Sequence, residues 1–254
     1  MTSPLFDLTG KTALVTGSGS GIGFALARGL ARHGASVIVN GRNAAKAEAA
    51  AAEIAGEGLS ARAAAFDVTD PIAVGDAVAA LDDETPIDIL INNAGVQIRG
   101  PLEDFADDDW NKLMQVHLTA PFLMSKAVAK RMIARKAGKI INIASVMAEL
   151  ARPGVAPYTA FKGGVRNLTR GMATDWAKHN IQINAIAPGY YKTPLNQALV
   201  DDPAFSEWLC KRTPAGRWGD TEELVGAAVF LSAPASSFVN GHTLFVDGGL
   251  TVSV

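Results

Sequence analysis

Cysteine is almost absent: Cys210 stands alone in 254 residues, so no disulfide within the chain can brace the fold, and a packed, inert thiol is expected there. Zinc-ligand spacing is missing as well. The chain has no cysteine pair and no His-Glu-x-x-His segment, and its histidines, His33, His117, His179 and His242, are scattered. No metal is expected. An excess of either charge is also lacking, because 23 Lys and Arg against 25 Asp and Glu leave a formal charge of -2, with no basic stripe to neutralise a phosphate backbone. Nucleic acid is therefore not an expected partner. No apolar run approaches the ~20 residues that span a bilayer, and Met1 to Gly10 lacks the basic start and apolar stretch of a secretory leader. The expectation is a cytoplasmic protein with no membrane partner.

What the chain does contain is a large apolar fraction in a regular alternation. At 48% hydrophobic it can bury a substantial core, and residues 1–254 are expected to form one domain. Short β-branched runs at 12–16, 36–40, 63–66, 87–92, 139–144, 182–187 and 243–246 alternate with helical stretches near 22–33, 44–56, 71–82, 107–136, 156–179 and 221–232. Strand and helix in repeated turn predict a parallel sheet covered on both faces, the doubly wound α/β plan. The acidic run Asp107-Asp108-Asp109 suits the first turn of a helix, where it complements the macrodipole.

A glycine loop, Thr16-Gly17-Ser18-Gly19-Ser20-Gly21-Ile22-Gly23, follows the first strand and opens the first helix. Backbone N–H groups and a helix dipole converge there, and Gly17, Gly21 and Gly23 leave room for a pyrophosphate, with Ser18, Ser20 and Ile22 alongside. The spacing is GxxxGxG, since Phe24 stands where a GxGxxG reading from Gly19 needs its last glycine. Taken alone, such a loop also reads as a tight turn. The acid that selects NAD about 20 residues further on is missing, because the second strand ends Val39-Asn40-Gly41-Arg42. Arg42 is placed to pair with a 2'-phosphate, so NADP(H) is the preferred cofactor and NAD(H) a possible one. Asp67, with Val68 after it, is a candidate to hydrogen-bond the adenine or to cap the next helix. Small residues in Asn92-Asn93-Ala94-Gly95 let backbone pass close to a cofactor.

The chemistry is expected from Ser145, Tyr158 and Lys162. Tyr158 and Lys162 share a helix face at i and i+4. Lowering a phenol by ~3 pH units needs roughly 4 kcal/mol, which one cation at ~4 Å supplies at an effective dielectric of ~20. Tyr158 can then serve as general acid for ketone reduction and general base for alcohol oxidation. Ser145, at the end of the fifth strand, can hydrogen-bond the substrate oxygen as charge develops.

In this order, with Pro188-Gly189 and Thr193 following, the motifs resemble the short-chain dehydrogenase/reductase family over essentially the whole chain. The resemblance implies a seven-stranded Rossmann sheet, a nicotinamide cofactor, the Ser-Tyr-Lys roles above and commonly a homotetramer. It also implies that Ile186, Pro188 and Thr193 surround the nicotinamide, and that a substrate lid spans about 190–218. One position departs from the family pattern: His117 stands where members commonly carry a catalytic asparagine. The family uses that residue's backbone carbonyl, which a histidine retains, so a structural role is expected and participation in the proton relay is the rival.

Further segments, among them Val96-Gln97-Ile98-Arg99, Ala148-Glu149-Leu150-Ala151-Arg152 and Gly189-Tyr190-Tyr191, resemble the branch of this family that exchanges hydride between gluconate and its 5-keto form. The implied partner is a small sugar acid. Gln97, Arg99, Glu149, Arg152, Tyr191 and Asn196 follow the carboxyl ends of strands and are the substrate candidates, with Arg99 foremost for the carboxylate. A 3-oxoacyl-thioester reductase would share the core motifs, and a non-catalytic NADP sensor would be expected to lose the tyrosine or lysine.

Overall fold

The computed structural model describes residues 4–254, so residues 1–3 of the expected 1–254 domain lie outside the described residues. Seven strands, β1 (Thr12–Val15), β2 (Ser36–Gly41), β3 (Ala61–Ala65), β4 (Ile89–Asn92), β5 (Gly138–Ile143), β6 (Ile181–Pro188) and β7 (Thr243–Val246), pair in parallel in the order β3-β2-β1-β4-β5-β6-β7. The helices are α1 (Gly21–Arg32), α2 (Ala44–Gly56), α3 (Pro71–Glu84), α4 (Asp107–Met114), α5 (Ala120–Arg135), α6 (Ala156–Trp176), α7 (Gln197–Val200), α8 (Pro203–Arg212) and α9 (Val225–Ser232).

Side-chain alternation assigns each strand residue to a face. Ala13 and Val15 of β1, Val37 and Val39 of β2, and Ile89 and Ile91 of β4 pack with α1, α2 and α9. Leu14, Ile38 and Leu90, one residue out of step, pack with α3, α5 and α6. With both faces covered, the central strands become continuous apolar runs. Each of the three side chains Leu14, Ile38 and Leu90 is essentially buried, worth about 1.5–3 kcal/mol apiece.

Polar residues punctuate the chain. Asp70 accepts from the N–H groups of Ile72 and Ala73 to start α3, and Asp202 accepts from Ala204 and Phe205 to start α8, each followed by a proline. Ser20, at the start of α1, makes no such side-chain cap. The chain order reverses across β1 and β4, so a crevice opens at their carboxyl ends beside the glycine loop.

β4 starts at Ile89 rather than 87 and residues 221–224 form a 3-10 turn ahead of α9, while two further differences from the sequence expectation have visible causes. β3 runs from Ala61 rather than 63, because it is an edge strand whose register is set by pairing Val37 with Ala61. The helix expected over 107–136 is interrupted by a π-helical segment, Gln115–Thr119. Ala120 there donates to Gln115 O, five residues back. Pro121 has no N–H to give the His117 carbonyl four residues earlier, which forces the wider turn.

Candidate active site

The glycine loop is fastened to its neighbours before any ligand is considered. Gly17 has φ +62°, and a Cβ there would lie 2.7 Å from the Ala94 Cα. Gly23 is as constrained, since a Cβ would come 2.6 Å from the Gly17 carbonyl oxygen. Thr16 Oγ1 accepts from the N–H groups of Asn93 (2.9 Å) and Ala94 (3.1 Å), while Asn93 Nδ2 donates to the carbonyls of Thr16 and Gly17. The segment 92–95 thus holds the loop in shape. Ser18 is fully buried, donating to Val15 O at 2.7 Å and accepting from Asn40 N–H at 3.1 Å. It does not line the cleft, so its expected cofactor contact is replaced by a structural bond. Asn40 lines the cleft, but its Nδ2 is committed to the carbonyls of Ala64 and Phe66.

One cleft of about 810 Å³ brings nearly all the sequence candidates together. Gly17, Ser20, Gly21, Ile22 and Gly23 form one end, with Arg42, Asp67 and Val68 beyond them. Asn93, Ala94, Gly95, Pro188, Gly189 and Thr193 line the middle, and Ser145, Tyr158, Lys162 and His117 stand next to them. Gln97, Arg99, Arg152, Tyr191 and Asn196 complete the far wall. Ile186 is absent from that wall, being fully buried in the core beside Ile143.

A dinucleotide fits the near end. Uncapped N–H groups at the start of α1 face the glycine loop, and no carboxylate stands among Asn40, Gly41 and Arg42. The Arg42 guanidinium is largely exposed and only 3.8 Å from the Asp67 carboxylate, a loose pairing that a phosphate can replace. Burial pushes Asp67 up, but hydrogen bonds from the Thr69 backbone and hydroxyl, with Arg42 nearby, hold it below its usual value.

The catalytic set has a different energy balance from the one expected. Lys162 is buried, and its Nζ donates to Ile143 O at 2.6 Å while lying 5.6 Å from the Tyr158 ring centroid. Burial depresses the ammonium to about 7. The Tyr158 phenol is raised above its ordinary value by burial, with the Ser145 hydroxyl pulling the other way. Desolvation of the phenol thus opposes the lowering expected from Lys162, whose own hydrogen bond goes to the Ile143 carbonyl rather than to Tyr158. Ser145 caps the turn Val146–Ala148, accepting from Met147 N–H at 3.1 Å, which fixes its oxygen beside Tyr158.

His117 is buried, with Nε2 2.6 Å from Val96 O and its ring edge-on to Tyr158 at 5.1 Å. Burial, the Lys162 charge and, in the other direction, the Val96 bond leave it at about 3. Burial therefore favours a neutral ring and the structural role over titration in the proton relay.

At the far wall, Arg99 and Arg152 meet no carboxylate among the described residues. Burial, then the charge of Arg152, lowers Arg99 from its usual value. Gln97 Oε1 is buried without a partner. Glu149 departs from expectation: it does not line the cleft, because its carboxylate pairs with Arg166 at 2.5 Å. Tyr191 lines the cleft, yet its hydroxyl donates to Val246 O at 2.9 Å and serves as an anchor to β7. The residue that sequence reasoning missed is Tyr190, whose oxygen accepts from Arg152 Nε at 3.0 Å. Its place in Gly189-Tyr190-Tyr191, just past the carboxyl end of β6, was the available signal. Among the described residues no group of three or more His, Cys, Asp or Glu is placed to hold a metal ion, and no helix is long and apolar enough to cross a membrane.

A family model described as enoyl-(acyl carrier protein) reductase matches residues 17–251. The chain is 61% identical over 251 residues to gluconate 5-dehydrogenase of Gluconobacter oxydans (strain 621H), covering 98% of each. It is 55% identical over 251 residues to 5-keto-D-gluconate 5-reductase of Escherichia coli (strain K12), covering 98% of this chain and 99% of that one. The crystal structure of a gluconate 5-dehydrogenase from Burkholderia cenocepacia J2315 in complex with NADP and tartrate matches with a TM-score of 0.97 at 57% identity, covering 99% of both chains.

Proposed function

The chain belongs to the short-chain dehydrogenase/reductase family, and from that premise we propose that it interconverts D-gluconate and 5-keto-D-gluconate with NADP(H), NAD(H) being the poorer cofactor. The observation that carries the substrate class is the pair Arg99 and Arg152, two guanidinium groups in the cleft with no carboxylate partner among the described residues. A carboxylate satisfies both, with Gln97 Oε1 and Asn196 left to meet hydroxyls. An acyl chain would strip water from two cations and return nothing.

NADPH, when bound, supplies a hydride to the substrate carbonyl carbon. Gly17, Ser20, Gly21, Ile22 and Gly23 would hold its pyrophosphate, Arg42 its 2'-phosphate and Asp67 with Val68 its adenine. Asn93, Ala94, Gly95, Pro188, Gly189 and Thr193 would line the nicotinamide side. Ser145 orients the substrate oxygen, and the Tyr158 O–H donates its proton to that oxygen as the carbonyl is reduced. Lys162, held near 7 by burial, can change protonation close to neutral pH and so re-protonate the phenolate. Oxidation of the alcohol runs the same transfers backwards, with the phenolate accepting.

The segment 190–218 closes over the substrate in this reading. We also assign a homotetramer acting in the cytoplasm, where NADP(H) serves as a general reductant. Exposed Trp110, Phe122, Phe238, Val252 and Val254 are apolar side chains that contacts between subunits would cover, which supports the assembly. Arg99→Ala tests the substrate assignment: it should raise KM for 5-keto-D-gluconate by about 10-fold or more, as loss of a charge-assisted contact does. A neutral polyhydroxy ketone should be little affected. Equal effects on both would remove the carboxylate role.

A further inference from the structure

Arg152 is oriented without being neutralised. It lies in the loop before α6, and its three structural partners are all uncharged. Nε donates to the Tyr190 hydroxyl at 3.0 Å, Nη1 donates to Pro153 O at 3.4 Å, and the guanidinium stands 5.5 Å from the Phe205 ring centroid. Of five N–H groups, both on Nη2 and one on Nη1 remain for a ligand. A purely structural arginine ordinarily meets an acid; here, at a half-buried position, a phenol, a carbonyl and a ring fix the plane and leave the charge in the cleft.

The residues doing this belong to the segment that follows β6. Phe205 sits on α8 and packs against Tyr190 (5.6 Å between centroids), Trp208 (5.3 Å) and Trp218 (6.1 Å). Trp218 Nε1 in turn donates to Ser206 Oγ at 3.1 Å, tying the far end of the segment back to α8. Tyr190 and Phe205 thus touch Arg152 on its edge and its face at once.

We infer that Tyr190 and Phe205 are positioning residues that set Arg152 for a substrate carboxylate, so that the segment 190–218 decides selectivity for anionic over neutral polyols. The inference rests on the sugar-acid reading above and deepens it. Because the segment holds the cation through uncharged contacts, moving α8 away would unseat the guanidinium, and a bound carboxylate favours the packed arrangement. Selection of the acid and packing of the segment are one event.

Four variants test it: Arg152→Lys, Tyr190→Phe, Phe205→Leu and Phe205→Tyr. KM and kcat are measured for 5-keto-D-gluconate, and D-gluconate binding to the NADPH-loaded protein, a pair that cannot exchange hydride, is followed by calorimetry. Tyr190→Phe, which removes only the accepting oxygen, should weaken KM and gluconate binding about three- to tenfold with kcat nearly unchanged. Phe205→Leu should weaken both about three- to fivefold, and Phe205→Tyr should restore them. Arg152→Lys, which keeps charge but loses the planar fork, should cost about tenfold. NADP affinity should not move in any of them. Wild-type binding in Tyr190→Phe, or a loss confined to kcat, would overturn the inference. If the wild-type protein neither reduces 5-keto-D-gluconate nor binds D-gluconate, the sugar-acid reading itself fails. Tartrate then serves as the anionic probe: weaker tartrate binding in Tyr190→Phe keeps the positioning role, and equal binding ends it.

Discussion

His117→Asn should change how stability responds to pH while leaving the pH response of turnover alone. The folded His117 titrates at about 3 against an ordinary value of 6.5, because burial and then Lys162 oppose its charged form more than the Val96 bond favours it. Between these values the unfolded chain binds a proton that the folded chain refuses, so stability is full above about 6.5 and declines as pH falls. The limiting slope is about 1.4 kcal/mol per pH unit, and from about pH 8 to about pH 5 the accumulated loss is roughly 2 kcal/mol. Asparagine does not titrate and loses none of it. Urea or thermal unfolding of both proteins at the two pH values, at one protein concentration, gives the difference of differences in which other groups cancel. Wild-type stability should fall about 2 kcal/mol further than that of the variant on acidification. Parallel pH dependences would refute the assignment of a neutral buried ring, and a shifted pH–rate midpoint in the variant would return His117 to the proton relay.

Three other perturbations follow from the geometry. Tyr158→Phe should lower kcat by about two to four orders of magnitude while calorimetry shows NADP binding intact, since only the proton donor is lost. Arg42→Ala should raise KM for NADPH by about 10-fold and leave NADH unchanged, because only NADPH carries the 2'-phosphate that the loosely paired guanidinium can take up. Gly23→Ala should destabilise the protein and abolish dinucleotide binding, since its Cβ would lie 2.6 Å from the Gly17 carbonyl oxygen; wild-type melting temperature and cofactor affinity would contradict the packing.

Much of this was legible because local and global signals agree. Apolar alternation in Ala13-Leu14-Val15 sends neighbouring side chains to opposite cores, so both the strand and its burial follow from the residues themselves. The glycine loop, Ser145, Tyr158 and Lys162 were readable because their spacing places them on the strand ends and one helix face that border the cleft. Less readable features depended on distant partners. The Glu149–Arg166 pair removes a candidate that sequence position alone placed near substrate. The energetics of Tyr158 and Lys162 hinge on burial and on Ile143 O, neither of which a four-residue spacing reveals. Pro121, by contrast, was a local signal for the break after Met114 that helical periodicity obscured.

The central claim is tested most directly by initial rates of NADPH and NADH oxidation with 5-keto-D-gluconate, set beside 2-keto-D-gluconate and an acetoacetyl thioester. Fast NADPH turnover with the 5-keto acid, slower turnover with NADH and little with either alternative carbonyl is the predicted result. Fast reduction of the thioester with none of the 5-keto acid would contradict it.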